Sequence, residues 1–135
     1  MERYTLDANG LLYYLGDVLP ERANEIFEAA TAGDVVIELP AVAAVEALYI
    51  IRNREQIAGQ ELNATPKDVM DALDTHLPVR VVDLSMTDVR KVVEWMDVFT
   101  KQIHDALIVA SHEVNDREAV ISSDPKIADH VETVW

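Results

Sequence analysis

Four carboxylates in this chain of 135 residues adjoin apolar runs, where an ionised side chain is unfavourable. They are Asp7, Glu46, Asp105 and Asp124. An ionised carboxylate that leaves water without a partner costs several kcal/mol, so such a group protonates, pairs with a cation or binds a metal ion. Few Lys or Arg residues stand near these acids in the sequence. Acids from four distant segments therefore suggest one shared cluster that holds a divalent metal.

The elements that must position these acids follow from apolar periodicity and cap residues. Strands are predicted at residues 3–6, 34–39, 79–84, 119–122 and 131–135. Helices are predicted at residues 8–16, 20–33, 40–54, 85–96 and 105–114, with two more that start near Pro66 and Pro125. Strands that alternate with helices predict crossover connections, and hence a three-layer α/β/α sandwich with a mostly parallel, five-stranded sheet.

The acids have a defined place in such a sheet. Ligands of parallel sheets bind beyond the carboxyl ends of the strands, at the point where the strand order reverses. Asp7 and Asp124 follow directly on predicted strands, so both are expected at this edge.

Length and composition indicate one ordinary domain, residues 1–135, with half of its residues apolar. The chain has no Cys, which excludes thiolate metal sites, disulfides and a Cys nucleophile. No apolar run approaches the roughly 18–20 residues of a membrane span, and the N-terminus has no secretory pattern. A soluble, cytoplasmic protein without membrane contact is expected.

The chain is strongly acidic, with 25 Asp and Glu against 11 Lys and Arg and a net charge of −14. Such a chain repels polyanions and attracts divalent cations or basic partners, which weighs against nucleic-acid binding through a broad basic face. Adaptation to a salty, halophilic cytoplasm is a second explanation, because high salt screens a dense carboxylate surface. The scarcity of Lys favours it; Lys occurs only at Lys67, Lys91, Lys101 and Lys126.

The contexts of the four acids resemble a known family. The matching segments, in chain order, are Leu6-Asp7-Ala8-Asn9, Val45-Glu46-Ala47-Leu48, His104-Asp105-Ala106-Leu107-Ile108-Val109-Ala110 and Ile121-Ser122-Ser123-Asp124. Over nearly its whole length the chain is similar to the PIN-domain nucleases, in particular to the single-domain VapC-type toxins of toxin–antitoxin pairs.

The resemblance implies an endoribonuclease that depends on Mg²⁺ or Mn²⁺, with RNA as substrate and a cognate antitoxin as partner. It implies that Asp7, Asp105 and Asp124 are the nearest metal ligands. Glu46 would complete the metal's surroundings directly or through water, and could orient the attacking water. Hard cations of this kind prefer carboxylate oxygens and retain waters, so the chemistry agrees.

Each acid also has an ordinary structural interpretation. Asp7 and Asp105 could cap the helices that follow them, and Asp124 before Pro125 is a common turn and cap residue. A capping carboxylate at a sheet edge can still coordinate a metal, so the two roles are compatible. Glu46 is harder to explain structurally, because it is the only charge between Leu39 and Ile51 in an apolar helix. A buried, functional Glu46 is therefore expected.

Polar residues near the acids are candidates for supporting roles. Asn9 and Ser122 could hold the carboxylates through hydrogen bonds, as small polar residues of the family do, or could simply be loop residues. His104 could touch substrate or be structural. His112 lies eight residues further on, and two His without a third ligand make a poor zinc site.

The cations available for RNA phosphates are few. Arg52 and Arg54 end the predicted Glu46 helix, and Lys101 precedes Asp105. They could bind phosphates that flank the cleaved bond, or the two Arg could belong to an exposed helix end. Surface positions are expected for Glu38 and Asp129.

The apolar run from Leu11 to Leu15 covers most of a helix circumference, which is more than one sheet face can bury. A homodimer or an antitoxin surface would use the surplus. Burial between neighbouring helices is the alternative.

Two other functions remain open. Leu6-Asp7-Ala8-Asn9-Gly10 resembles the opening motif of haloacid-dehalogenase phosphatases, but Asn9 stands where that family needs a second Asp as acid and base. A non-catalytic PIN-like protein-binding module is the other alternative. A missing carboxylate would favour it, and none of the four is missing.

Overall fold

The chain forms seven strands and seven helices in the computed structural model, which describes residues 1–135. The strands are β1 (Arg3–Leu6), β2 (Val36–Pro40), β3 (Gln56–Ile57), β4 (Gln60–Glu61), β5 (Arg80–Val82), β6 (Val120–Ile121) and β7 (Thr133–Val134). The helices are α1 (Ala8–Leu15), α2 (Glu21–Thr31), α3 (Ala41–Arg52), α4 (Pro66–Thr75), α5 (Met86–Val92), α6 (Ile103–Val114) and α7 (Pro125–Ala128).

Five strands form one parallel sheet in the order β5-β2-β1-β6-β7. The chain begins at the central strand β1, extends the sheet on one side through β2 and β5, and then crosses to the other side for β6 and β7. The strand order therefore reverses between β1 and β6, whose last residues Leu6 and Ile121 are paired. This is the place where α/β sheets bind ligands. The predicted fold class is confirmed.

Several predicted boundaries were wrong, and one element was missed. The helix predicted to reach residue 96 ends at Val92, and the helix predicted to start at Asp105 starts at Ile103. The strands β3 and β4 form a small antiparallel hairpin that was not predicted. Its two turn residues, Ala58 and Gly59, both have positive φ, 51° and 79°. Two-residue hairpins favour this conformation, but Ala is an unusual residue for it.

Cap residues delimit two of the helices as the sequence predicts. The Thr65 and Ser85 hydroxyls each accept a hydrogen bond from the backbone N–H three residues on, and the Asp68 and Asp88 carboxylates each accept one from the cap residue's own N–H. These capping boxes satisfy N–H groups that the helix itself cannot, and they fix where α4 and α5 begin.

The apolar run of α1 is covered within the chain. Leu11 and Leu12 are fully buried, the Tyr14 ring stacks on Phe27 at 4.1 Å, and the Tyr13 ring meets Trp135 edge-on at 5.0 Å. Burial between neighbouring elements therefore accounts for Leu11 and Leu12 and for part of Tyr13, Tyr14 and Leu15, which stay partly exposed.

The surface expectation for Glu38 was wrong. Its side chain is 6% exposed and accepts hydrogen bonds from Arg117 Nε at 2.9 Å and from Arg3 at 3.1 Å. Both partners lie far away in the sequence, so no local pattern around Glu38 indicated them. Asp129 is exposed, as expected.

No helix in the structure combines the length and the apolar character that crossing a bilayer requires.

Candidate active site

Asp7 connects the central strand to the first helix. Its carboxylate caps α1 by accepting the Gly10 N–H through Oδ1 at 2.7 Å, and the residue is only 8% exposed. The capping role is therefore real. It also holds one carboxylate rigidly at the carboxyl end of β1, beside the reversal point of the sheet.

Gly10 makes this close packing possible, a role that the sequence analysis missed. A Cβ at this position would lie 2.6 Å from Leu6 Cδ1, 3.0 Å from the Ile121 carbonyl oxygen and 3.1 Å from Asp7 Oδ1. Any side chain would push α1 away from the ends of β1 and β6. A Gly inside a predicted helix is the signal that could have indicated it.

Ser122 links two of the acids. Its buried hydroxyl lowers the pKa of the nearby Asp7 carboxyl and accepts the Asp124 N–H at 3.1 Å. Asp124 in turn caps α7 by accepting the Lys126 N–H at 2.8 Å. The supporting role expected for Ser122 agrees with these contacts. Asn9 is exposed on the wall of the adjoining cavity.

Asp105 lies in the first turn of α6. It is not the helix cap, because Gln102 occupies that position and makes no side-chain cap bond. The capping interpretation of Asp105 was therefore wrong. Burial, the charge of Asp124 and a hydrogen bond to Asp124 raise the pKa of Asp105 to about 7, with smaller contributions from Glu46 and Asp7. A carboxyl with this pKa holds a proton near neutral pH and releases it readily.

Asp7 is perturbed in the same direction. Burial raises the pKa of Asp7 to about 6, although its hydrogen bonds from Ser122 and Gly10 oppose the rise. The nearby charges of Glu46 and Asp124 contribute further. Two carboxyls with raised pKa values in one small region mark a functional site more often than a structural one.

Glu46 is less buried than expected. Its side chain is 36% exposed, and its Oε2 lies 3.9 Å from Nδ1 of the exposed His104. The prediction of burial failed because α3 presents two apolar residues to solvent, Val45 at 66% and Tyr49 at 62% exposure. The apolar sequence of α3 therefore did not mean that the helix is buried on all sides. Glu46 and His104 lie at the mouth of the site, so neither is a core residue.

The acids meet at a cavity of about 270 Å³. Glu46, Asp105 and Asp124 line it, whereas Asp7 is not part of the lining and acts on these residues from the end of β1. Lys101 is the only Lys or Arg on the cavity wall. The full lining is Asn9, Glu46, Lys101, Gln102, Ile103, His104, Asp105 and Asp124.

The donor set suits a hard cation that keeps part of its water shell. No three His, Asp or Glu side chains are arranged to hold a metal ion by themselves. Mg²⁺ is commonly bound through one or two carboxylates, with waters and substrate phosphates as the other ligands. The charge of Asp124 raises the pKa of Asp105, and a cation between the two carboxylates would offset their repulsion. The site therefore fits such an ion bound partly through water.

The remaining candidates lie elsewhere. His112 is seven residues beyond Asp105 on α6, about 10 Å along the helix axis, and it is buried against Thr5. A zinc site shared with His104 is thereby excluded. Arg52 and Arg54 are exposed at the end of α3 and line a different cavity of about 360 Å³.

Comparison with known proteins agrees with this geometry. The family model described as PIN domain matches residues 4–132. The chain therefore belongs to the PIN domain family, the nuclease family that the four acidic segments predicted. A comparison with curated proteins gave no match.

Solved structures share the fold at low sequence identity. VapBC2 from Rickettsia felis, bound to a DNA fragment from its promoter, is similar with a TM-score of 0.70, 12% identity and coverage of 98% of this chain and 97% of that one. A toxin–antitoxin complex from Klebsiella pneumoniae is similar with a TM-score of 0.67, 15% identity and coverage of 98% of this chain and 96% of that one. VapC20 from Mycobacterium tuberculosis is described as a toxin that cleaves the sarcin–ricin loop. It is similar with a TM-score of 0.65, 13% identity and coverage of 93% of each chain.

Proposed function

We propose that this protein is a metal-dependent endoribonuclease and the toxin of a toxin–antitoxin pair. One observation carries the proposal: Glu46, Asp105 and Asp124, from three separate segments, line one small cavity, and Asp7 lies behind them at the reversal point of the sheet. Burial and neighbouring acids raise the pKa values of Asp7 and Asp105 towards neutrality. Membership of the PIN domain family supports the nuclease class.

Asp105 and Asp124 are the residues proposed to hold Mg²⁺ or Mn²⁺, with Asp7 behind them. When bound, the ion would supply an activated water and stabilise negative charge on the phosphate. Asp105 would hold the ion as an ionised carboxylate, because a nearby cation favours the ionised form. Ser122 holds Asp7 and the Asp124 backbone in a fixed relation. Glu46, half-exposed at the mouth, is the proposed acceptor that orients the attacking water.

RNA is the proposed substrate, and VapC20, described as cleaving the sarcin–ricin loop, supports it among the structural neighbours. With a net charge of −14, the protein cannot bind RNA through overall attraction. Lys101 at the cavity wall is the proposed phosphate contact. Arg52 and Arg54 are too far from the acids in the fold to share their cavity, which leaves them as contacts for more distant phosphates at most.

An antitoxin is the proposed protein partner, because neighbours of the same fold are described as toxin–antitoxin complexes. A homodimer stays a prediction. Light scattering of the isolated chain measures its mass in solution, and co-purification with the product of a small adjacent gene tests for the antitoxin.

The decisive experiment is cleavage of a labelled RNA by the purified chain with EDTA, Mg²⁺ or Mn²⁺. Cleavage should require the metal and should be abolished in Asp105→Asn. Asp34→Asn, which removes an exposed carboxylate and changes the net charge equally, is the matched control and should cleave normally. Metal-independent cleavage, or full activity of Asp105→Asn, contradicts the proposal. A folded chain that binds Mn²⁺ but cleaves no RNA, and that hydrolyses a simple phosphomonoester, would favour the phosphatase alternative.

A further inference from the structure

A second polar cluster lies buried between β1, β2 and α6. Its members are Thr5, Glu38, Ser111, His112 and Arg117, here called the polar lock. All five are buried, and none of them lines the cavity of the four acids. Buried polar groups on this scale are unfavourable unless they are fully paired, so their arrangement calls for a physical reason.

Arg117 is the centre of the polar lock. Its side chain is 1% exposed and donates from Nε to Glu38 at 2.9 Å. One of its terminal nitrogens donates to the Thr5 hydroxyl at 3.3 Å, to the Ser111 hydroxyl at 3.1 Å and to the Ser111 carbonyl at 3.2 Å. A single guanidinium thereby ties β2, β1 and the end of α6 together.

The polar lock also determines how α6 lies along β1. The Thr5 hydroxyl is 3.0 Å from Nδ1 of His112, and Arg3 at the start of β1 donates to the Asn115 carbonyl just after α6. Side chains two residues apart on a strand share a face, so Thr5 points to the same side as Asp7. Helix α6 runs in the opposite direction to β1, which brings its first turn, with Asp105, towards Asp7.

The end of α6 that carries Asp105 has weaker support: its polar contacts are the partly exposed approach of His104 to Glu46 at 3.9 Å and the interaction of Asp105 with Asp124. Its cap residue makes no side-chain hydrogen bond, and the other neighbours of α6 are α3 and α5, against which it packs mainly through apolar residues. Apolar contacts are not directional and allow small shifts. At alkaline pH, where Asp7, Asp105 and Asp124 are all ionised, their like charges push this end of the helix away from the sheet. Directional bonds at the opposite end are what oppose such a shift.

We propose that the polar lock positions Asp105 relative to Asp7 and Asp124, so that Thr5, Glu38 and Arg117 are positioning residues for the reaction. The inference rests on the proposed nuclease function for its kinetic consequence. It does not treat the buried ion pair as a source of stability, since replacing such a pair by apolar residues of similar size is often neutral or stabilising. What the pair supplies is a fixed geometry.

The test replaces Glu38 and Arg117 together, so that no buried charge is left unpaired; Arg3, the other partner of Glu38, is 41% exposed and is solvated when Glu38 is removed. Glu38→Met/Arg117→Met keeps the side-chain volume and is expected to melt, metal-free, close to the parent temperature. Its midpoint for Mn²⁺, measured by thermal shift, should weaken about tenfold. Its kcat for RNA at saturating metal should fall on the order of a hundredfold with KM little changed. The reason is that the variant displaces Asp105 and leaves the substrate contacts in place.

Two further variants keep the test decisive. Thr5→Val removes one hydroxyl from the polar lock at nearly constant shape. If the double variant fails to fold, the same measurements on Thr5→Val provide the test. The exposed pair of Lys67 and Asp71, 2.8 Å apart on α4, provides the matched control. Lys67→Met/Asp71→Met should leave kcat and the Mn²⁺ midpoint unchanged.

Hydrogen exchange separates this inference from the proposed function. In the metal-free protein, amides of residues 103–110 should exchange faster in Glu38→Met/Arg117→Met and in Thr5→Val than in the parent or the control. This holds whether or not the parent cleaves RNA. Folded variants with parental exchange, Mn²⁺ midpoint and kcat would overturn the inference. A parent that neither binds Mn²⁺ nor cleaves RNA would overturn only the proposed function.

Discussion

Neutralising Asp7 should stabilise the metal-free protein while it abolishes cleavage. Burial raises the pKa of Asp7 from 3.8 to about 6. Because the folded-state pKa lies above the unfolded one, the folded protein binds this proton more tightly. The stabilisation it confers is complete below pH 3.8 and is lost as the pH rises through about 6. At alkaline pH the ionised carboxylate opposes folding.

The magnitude follows from the shift. Each pKa unit corresponds to about 1.4 kcal/mol, so ionised Asp7 destabilises the metal-free fold by about 3 kcal/mol. In Asp7→Asn the amide oxygen can still accept the Gly10 N–H, and the amide NH₂ is a donor like the protonated carboxyl that it replaces. The pKa of about 6 already includes the hydrogen bonds that favour the ionised form, so the expected gain stays at about 3 kcal/mol. For a chain of this size the melting temperature should rise by about 9–12 °C.

The assay is thermal unfolding in EDTA at an alkaline and an acidic pH. The rise should be present near pH 8 and should largely disappear near pH 4, where the parent carboxyl is protonated. Asp34→Asn is the control for net charge, and an exposed substitution of this kind should change stability by less than about 0.5 kcal/mol. A lower melting temperature of Asp7→Asn than of the parent at alkaline pH would refute the reasoning, since the ionised carboxylate would then be a stabilising cap.

Three further predictions follow from the same structure. Glu46→Gln should reduce RNA cleavage by orders of magnitude with the fold retained. Glu46→Leu should fold equally well, because the Glu46 side chain is only half-buried. A Leu variant that cleaves RNA like the parent would show that Glu46 has no role in cleavage. Burial and the Arg117 charge lower the pKa of His112 from 6.5 to about 4. The free energy of unfolding should therefore decrease as the pH falls from 6.5 to about 4, because the unfolded chain binds this proton more tightly. In His112→Gln, urea unfolding should show a smaller decrease over the same pH range. If the acidic surface is an adaptation to salt, molar KCl should raise the melting temperature by screening repulsion, whereas identical curves at low and molar salt would contradict that explanation.

The sequence by itself determined the class of sheet and the order of its five strands along the chain, and it predicted the four acids as the site. These properties are local: apolar periodicity marks strands and helices, and Thr65, Ser85 and Asp124 are side chains that cap the residues immediately after them. The chain order of the acidic segments was sufficient to indicate the family. The topology then followed, because parallel strands joined by helices have few possible connections.

Burial could not be predicted in the same way. The sequence around Glu46 is apolar, yet α3 is open to solvent on the side of Val45 and Tyr49. The sequence around Glu38 gave no sign of a partner, yet the residue is buried against Arg117, 79 positions away. Local composition describes what a segment can bury and leaves open which neighbour covers it.

The tertiary structure alone decided which carboxyls have raised pKa values and which residues hold them in position. The raised pKa values of Asp7 and Asp105 arise from desolvation and from charges on other elements, which act through space and not along the chain. The polar lock joins β1, β2 and α6 for the same reason: strands and helices distant in sequence meet only when the sheet forms. Sequence therefore supplied the chemistry of the site, and the packing of β1 against α6 determined its geometry.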